Sequence, residues 1–278
     1  MKQRTVTWSL LLTALFASVI GGCLRAVQLR QELNADGSLA QGSFLHYVLA
    51  GLTAVFLLAA ALLTHALTKQ RGTDDYFVNA APDSYRGRAE LLPHAFQLLA
   101  AALLLLGSFL LWRQGVQPLN SYATKSPRAA RVMAALLPPL GIVAACCIGA
   151  FALRCLQARR STPLLYMTAS LYLILRLIVC FQEWNADPSI HDYCFKLLAA
   201  ICDMLAAFQL AGFGFDRGKR RITLFWTLGA VFFGALTIPD ALNDPPELCI
   251  AAALLLSMLT SSVQLLFGEV RRTEEVKE

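Results

Sequence analysis

Eight apolar stretches of about 20 residues run along the 278-residue chain. A helix of about 20 residues crosses the roughly 30 Å hydrocarbon layer of a bilayer, and unpaired backbone groups are too costly in lipid. Each stretch is therefore predicted to be a transmembrane helix. The predicted spans are Thr7–Leu24, Phe44–Leu67, Leu92–Trp112, Val132–Leu156, Pro163–Phe181, Ser189–Gly212, Ile222–Leu242 and Leu248–Phe267.

Composition excludes the other broad classes of protein. The residues AVILMFWYC make up 57% of the chain and charged residues 15%, and the mean hydropathy is +0.56. Soluble domains hold about 45–50% and about 25% of these two groups. A disordered chain, a disulfide-stapled secreted domain and an ordinary cytosolic enzyme are excluded. We predict an all-α, polytopic integral membrane protein whose surroundings are the lipid bilayer.

Basic residues predict the orientation, because Lys and Arg stay on the cytoplasmic side during insertion. With both termini cytoplasmic in the cell membrane, 16 of the 24 Lys and Arg residues lie on that side. Four of the others lie in the single loop Arg113–Arg131, and if one segment only dips into the membrane, the later orientation reverses. The net charge of +6 fits this inside bias. No basic stripe alternates with aromatic residues, so no nucleic-acid partner is predicted.

The chain contains an internal repeat at a shift of 151 residues, with eight identities over fifteen positions. The shared pattern is L-R-x5-Q-E-x-N-A-D-x-S, found at 24–38 and again at 175–189. Five of the eight identities are charged or amide residues, which are rare in this chain, so we interpret the match as a duplication.

The duplication predicts two tandem four-helix repeats, residues 1–156 and 157–278. Each repeat holds an even number of spans, so the copies are predicted to be parallel and related by an axis along the membrane normal. An alternative for the first span is a lipoprotein signal cleaved before Cys23. The second copy of the motif lies at the end of a helix inside the chain, which no signal peptidase removes. The equivalent first helix is therefore expected to be retained, which disfavours that alternative.

The motif allows a structural and a functional interpretation. Asp187 before Pro188 suits the start of a helix, so the N-A-D-x-S part is predicted to cap helices. Capping does not explain Arg25 with Glu32, or Arg176 with Glu183, since each pair lies two turns apart on one face. An arginine at that depth normally faces the bundle interior with a partner. These pairs either fix helix register or line an outward-facing vestibule.

Asp203 lies in the middle of the sixth span, and Lys196 precedes it on the same stripe of that helix. As a functional group Asp203 would be a binding or proton-coupling carboxylate. As a structural group it would be the buried partner of Arg176 or Lys196. Both interpretations stay open.

Three further features have a plain interpretation beside a functional one. Asp240, Asp244 and Glu247 form an acidic turn that could attract cations, but a solvated rim is the commoner role. Cys180 and Cys194 flank the outer turn and could form a disulfide on an oxidising side. The loop Lys69–Glu90 suits a docking segment or a linker.

The leading functional hypothesis is a small-solute transporter or permease with a polar site between the two repeats. Arg176 and Asp203 would be midplane groups, Glu32 and Glu183 would lie near the entrance, and Arg25 and Lys196 would complete the substrate-binding set. The alternative is a membrane sensor, or an assembly scaffold for a membrane protein partner. No catalytic motif occurs, which argues against an enzyme, and no metal site or cofactor is predicted.

Overall fold

The computed structural model describes residues 2–31, 44–67, 77, 88–115, 128–156, 164–184 and 190–268. Side chains are described within 5–31, 44–67, 77, 92–115, 132–156, 165–182 and 194–268. The described residues form eight long helices and no strand. The helices are α1 (Lys2–Gln31), α2 (Phe44–Ala66), α3 (Arg88–Gln114), α4 (Arg128–Leu156), α5 (Leu164–Trp184), α6 (Ile190–Ala211), α7 (Arg220–Ala241) and α8 (Pro245–Phe267).

All eight predicted spans are confirmed as helices that are long and apolar enough to cross a membrane. Pro245 and Pro246 are the first two residues of α8. The N–H groups at these positions have no acceptor within a helix, so proline loses no hydrogen bond there. The other proline pair, Pro138-Pro139, lies inside α4, which begins at Arg128 and ends at Leu156. A short 3₁₀ turn, Gly212–Phe215, follows α6.

The surface of the bundle is apolar, and many of its polar groups are inside. Phe16, Val55 and Phe208 each expose more than 60% of their surface. Arg25, Gln97 and Asp203 are all buried. This distribution is the reverse of that in a soluble protein and suits a lipid environment, in which exposed apolar side chains cost nothing. The chain is a multi-pass membrane protein.

Six helices form a ring in which each contacts the next along the chain, from α3 to α8, and α8 closes the ring on α3. The remaining two helices lie outside the ring, where α1 and α2 pack against each other and both contact α7. Contacts therefore cross the boundary between residues 1–156 and 157–278, and the two predicted repeats form one packed body. The duplication itself stays a prediction from the sequence.

The hairpin of α7 and α8 is the centre of the molecule. In the most apolar window of α7, 67% of the residues are buried, against 22% in α2 at the periphery. Two arginines at the start of α7 hold neighbouring helix ends. Arg220 donates hydrogen bonds to the carbonyls of Leu265 (2.8 Å) and Leu266 (3.1 Å), and Arg221 donates to the carbonyl of Leu67. Cations at these C-termini also complement the helix dipoles.

One residue of the α2–α3 connection is inserted among the helices at the same end of the molecule. Phe77 is buried and makes edge contacts with Phe151 and Phe213, with ring centroids 5.6 Å away in each case. A tilted contact with Tyr166 completes the cluster. The rest of the loop Lys69–Glu90, up to α3, lies outside the described residues.

Candidate functional site

Two arginines, one from each copy of the repeated motif, meet acids of the same hairpin. Arg25 near the end of α1 reaches Asp240 near the end of α7, and Arg176 of α5 reaches Glu247 in the first turn of α8. Because the end of α7 and the start of α8 are joined by one short turn, both arginines lie toward the same end of the bundle. Copies inserted with the same orientation require this arrangement.

The Arg25 cluster is closed and fully paired. Its guanidinium donates to Asp240 at 3.0 and 3.3 Å and to the Gln28 side chain at 2.9 Å. It also lies over the ring of Phe195, 5.5 Å from the ring centroid. The side chains of Arg25 and Asp240 are only 1% and 5% exposed. The cluster joins α1, α6 and α7, and a buried ion pair with further hydrogen bonds of this kind is a structural element.

The Arg176 pair lies nearer the surface. Arg176 donates to the carboxylate of Glu247, whose side chain is 37% exposed, and the buried Tyr172 lies beside Arg176. Solvent can reach the carboxylate, so it can leave Arg176 at a lower cost than Asp240 can leave Arg25.

These partners differ from the ones that the sequence suggests. Asp240 and Glu247 were expected to belong to a solvated rim, but each pairs with an arginine, and Asp240 is buried. The i,i+7 acid Glu32 lies outside the described residues. Glu183 lies in α5, but its side chain is outside the described part. Spacing in the sequence identifies residues that share one face of a single helix. It does not show which acid a neighbouring helix brings to the same depth as the arginine.

The second group of polar residues surrounds a partly open cavity between α5, α6, α7 and α8. The part of this cavity that is open to the centre of a water molecule has a volume of about 30 Å³. This volume has room for a molecule of a few non-hydrogen atoms. The lining residues that carry charge are Arg176, Lys196, Asp203 and Glu247. Alanines and Thr237 form much of the remaining wall, with Leu254 at its apolar side.

Asp203 is the exceptional residue of this cavity. It is 5% exposed, and its Oδ1 atom is buried with no hydrogen-bond partner among the described residues. No ion pair within 4.0 Å is formed by Asp203 or by Lys196 in the described part of the chain, although both line the same cavity. A buried carboxylate oxygen without a partner is costly and is therefore a candidate for contact with a ligand or water.

The structure thus brings together three of the six predicted site residues. Arg176, Lys196 and Asp203 line the cavity, whereas Arg25 belongs to the separate paired cluster. Every lining residue comes from residues 157–278, so the cavity lies within the second predicted repeat and not between the two repeats. Sequence analysis assigned Glu247 to the rim and did not identify it as a wall of the site. The feature that could have identified Glu247 is its place in the first turn of a span, at the same depth in the membrane as Arg176.

A second cavity lies inside the ring of helices. It is lined by residues of α3, α4, α5, α6 and α8 and is mostly apolar. Its polar groups include Tyr166 and Ser257, and Ser257 accepts a hydrogen bond of 2.9 Å from Gln97. Leu254 lines both cavities.

Neither a metal site nor a disulfide is found among the described residues. No group of three His, Cys, Asp or Glu side chains is placed to hold a metal ion there. The disulfide considered for Cys180 and Cys194 is not formed in the structure. The chain matches no protein-family model, and no curated protein or solved structure shows significant similarity to it.

Proposed function

We propose that the protein is a small-solute transporter or permease whose binding site is the cavity around Asp203. The observation that carries the proposal is the buried Oδ1 atom of Asp203, which has no partner among the described residues yet lines a cavity with Arg176 and Lys196. Ionisable groups inside a membrane bundle are expensive and mark substrate or ion pathways.

The contrast between the two buried carboxylates supports a binding role for one of them. Asp240 makes two contacts with Arg25 and has a structural role that needs no ligand. Asp203 forms no ion pair in the described part of the chain, and its Oδ1 atom has no hydrogen-bond partner there. The charge of Arg176 acts on Asp203, but Arg176 is itself paired with Glu247. A solute or ordered water that donates a hydrogen bond to it would remove this cost.

The second cavity supports passage through the protein as well as binding. It shares Leu254 with the first cavity and lies toward the end that carries the Phe77 cluster, since Tyr166 belongs to both its lining and that cluster. In the proposed orientation, with both termini cytoplasmic in the cell membrane, the Asp203 cavity faces outward and the second cavity lies on the inner side. Movement of Leu254 would connect the two.

A thermal-shift screen of the purified full-length protein against small polar metabolites tests the proposal. We expect at least one solute to raise the melting temperature of the natural protein and to lose this effect in Asp203→Asn. The control is Asp244→Asn, since Asp244 is exposed at the α7–α8 turn outside the cavity. An equal shift in Asp203→Asn and in the control would reject Asp203 as a binding group.

The alternative, a sensor or an assembly scaffold, predicts different results. A sensor would bind a solute without moving it across a membrane. A scaffold would co-purify with a stoichiometric membrane protein and would show no solute-dependent stabilisation. The unpartnered Asp203 favours a role that involves a solute over a scaffold.

A further inference from the structure

The charges around the cavity divide into a paired set and an unpaired set. Arg176 and Glu247 neutralise each other through their ion pair. Lys196 and Asp203 have no ion pair in the described structure, and they are of opposite sign. The cavity therefore has one basic and one acidic side chain that form no ion pair among its described residues, and the formal charge of its four ionisable lining residues Arg176, Lys196, Asp203 and Glu247 is zero.

The two unpaired groups are separated along the membrane normal. Both lie on α6, seven residues apart, so their backbone positions differ by about 10 Å along the helix axis. Lys196 is nearer the end of the bundle that carries the α7–α8 turn, and Asp203 is deeper. They form no ion pair with each other within 4.0 Å, so each can pair with a separate charged group of a bound solute.

Arg176 is the lining cation whose charge acts on Asp203, but its ion pair is made with Glu247. The hydroxyl of Thr237 donates to the carbonyl of Gly234 at 2.8 Å within α7. The lining residues that α7 contributes to the cavity wall, Gly234, Thr237 and Ala241, carry no charge. From α8 the only charged lining residue in the described structure is Glu247, which is already paired.

We infer that the solute is a small zwitterion, with its carboxylate toward Lys196 and its ammonium group toward Asp203. This inference rests on the proposed function and names its substrate class. A simple cation would leave Lys196 unpaired and be repelled by it, and a simple anion would be repelled by Asp203 in the same way. A zwitterion pairs both groups and adds no net charge to the membrane interior.

The size of the cavity restricts the zwitterion further. About 30 Å³ is open to the centre of a water molecule, and the walls near Asp203 include Ala199, Ala200 and Ala251. Alanine side chains are short, so these walls suit a compact solute. The expected solutes are amino acids with little or no side chain, such as glycine and β-alanine.

The test compares matched solutes on the purified full-length protein, with thermal stabilisation as the readout of affinity. Glycine and β-alanine are the zwitterions, glycinamide is the cationic probe, and acetate is the anionic probe. We expect both zwitterions to bind at least about tenfold more tightly than either singly charged probe, a difference of about 1.4 kcal/mol.

Two variants test whether the carboxylate of the solute binds at Lys196 and its ammonium group at Asp203. Lys196→Gln should shift the preference toward glycinamide, and Asp203→Asn should shift it toward acetate, because each change leaves one charge of the cavity unpaired. The exchanged variant Lys196→Asp with Asp203→Lys should again prefer a zwitterion. The controls are Lys219→Gln and Asp244→Asn, whose side chains are exposed outside the cavity and should leave the preference unchanged.

The outcomes separate this inference from the proposed function. Tight binding of acetate, glycinamide or an uncharged solute in place of the zwitterions would overturn the inference and leave the transporter proposal in place. Equal changes in both single variants would also overturn it, since a structural role predicts no opposite preference. If no small polar solute stabilises the natural protein, both proposals fail.

Discussion

Two aspartates of similar burial have opposite surroundings in this protein. Asp240 and Asp203 are each about 5% exposed. The first is held by Arg25, and the second has an oxygen with no partner in the described structure. Removal of one member of a buried ion pair leaves the other charge uncompensated, whereas neutralising an unpaired carboxylate removes a cost. The free energy of unfolding therefore distinguishes structural from binding roles.

Asp240→Asn should lower the free energy of unfolding by about 3–5 kcal/mol, because it leaves the Arg25 guanidinium buried without a counter-ion. Asp203→Asn should change it by no more than about 0.5 kcal/mol, or raise it. Thermal unfolding of the detergent-solubilised proteins, followed by circular dichroism, measures both. In the double variant Arg25→Met with Asp240→Leu, part of the loss should be recovered. A loss in Asp203→Asn as large as in Asp240→Asn would mean that Asp203 is a structural partner.

At the scale of elements, the α7–α8 hairpin organises the bundle through close backbone approach. Gly107 of α3 faces the start of α8, where an added Cβ would lie 2.7 Å from the Ile250 side chain and 3.0 Å from the Pro246 carbonyl oxygen. Small residues at such crossings are the main means by which membrane helices pack. Gly51 of α2, in contrast, has nothing within 4 Å of the added atom.

Gly107→Ala is expected to destabilise the protein by about 1–3 kcal/mol, since the carbonyl oxygen cannot move without shifting α8. Gly51→Ala is the matched control, and it should be neutral or stabilising because alanine favours a helix by up to about 1 kcal/mol. Melting temperatures of the two variants in the same detergent give the comparison. Equal effects would show that α3 and α8 do not pack through this contact.

The elements were predictable from the sequence, but their neighbours were not. Hydropathy alone identifies α2 and α4, since every residue of a span must suit lipid or a protein interior. The same apolar side chains cover both the lipid-facing and the protein-facing surfaces, so hydropathy does not show that α1 packs on α7 or that α3 packs on α8. Asp203 and Lys196 could be singled out because charge is rare in a span. The partner of Arg25 is 215 residues away, and no spacing rule predicts it.

At the scale of the whole molecule, the ends of the bundle differ in charge. The end at the start of α7 carries Arg217, Lys219 and the two capping arginines, with Asp216 beside them. At the opposite end Asp240 and Glu247 are paired with Arg25 and Arg176, and Asp244 is exposed. Because basic residues remain cytoplasmic, the Asp203 cavity is proposed to open outward. Cys180 lines this cavity, and it provides a chemical probe of the side on which the cavity opens.

In a variant that keeps Cys180 as its only cysteine, a membrane-impermeant thiol reagent added to intact cells should modify this residue. A solute that binds the cavity should slow the reaction. The matched control keeps only Cys202, which is 4% exposed and should stay unmodified. Modification of Cys180 only in inverted membrane vesicles would reverse the proposed orientation. Mass spectrometry of the labelled protein measures the extent in each case.

The central claim is that Asp203 binds a solute which the protein carries across the membrane. Counterflow in proteoliposomes tests it most directly, with the solute that stabilises the purified protein loaded inside and a labelled trace of it added outside. We expect transient accumulation of label with the natural protein and with Asp244→Asn, and none with Asp203→Asn. Accumulation that is equal in Asp203→Asn, or absent with the natural protein despite solute binding, would contradict the account.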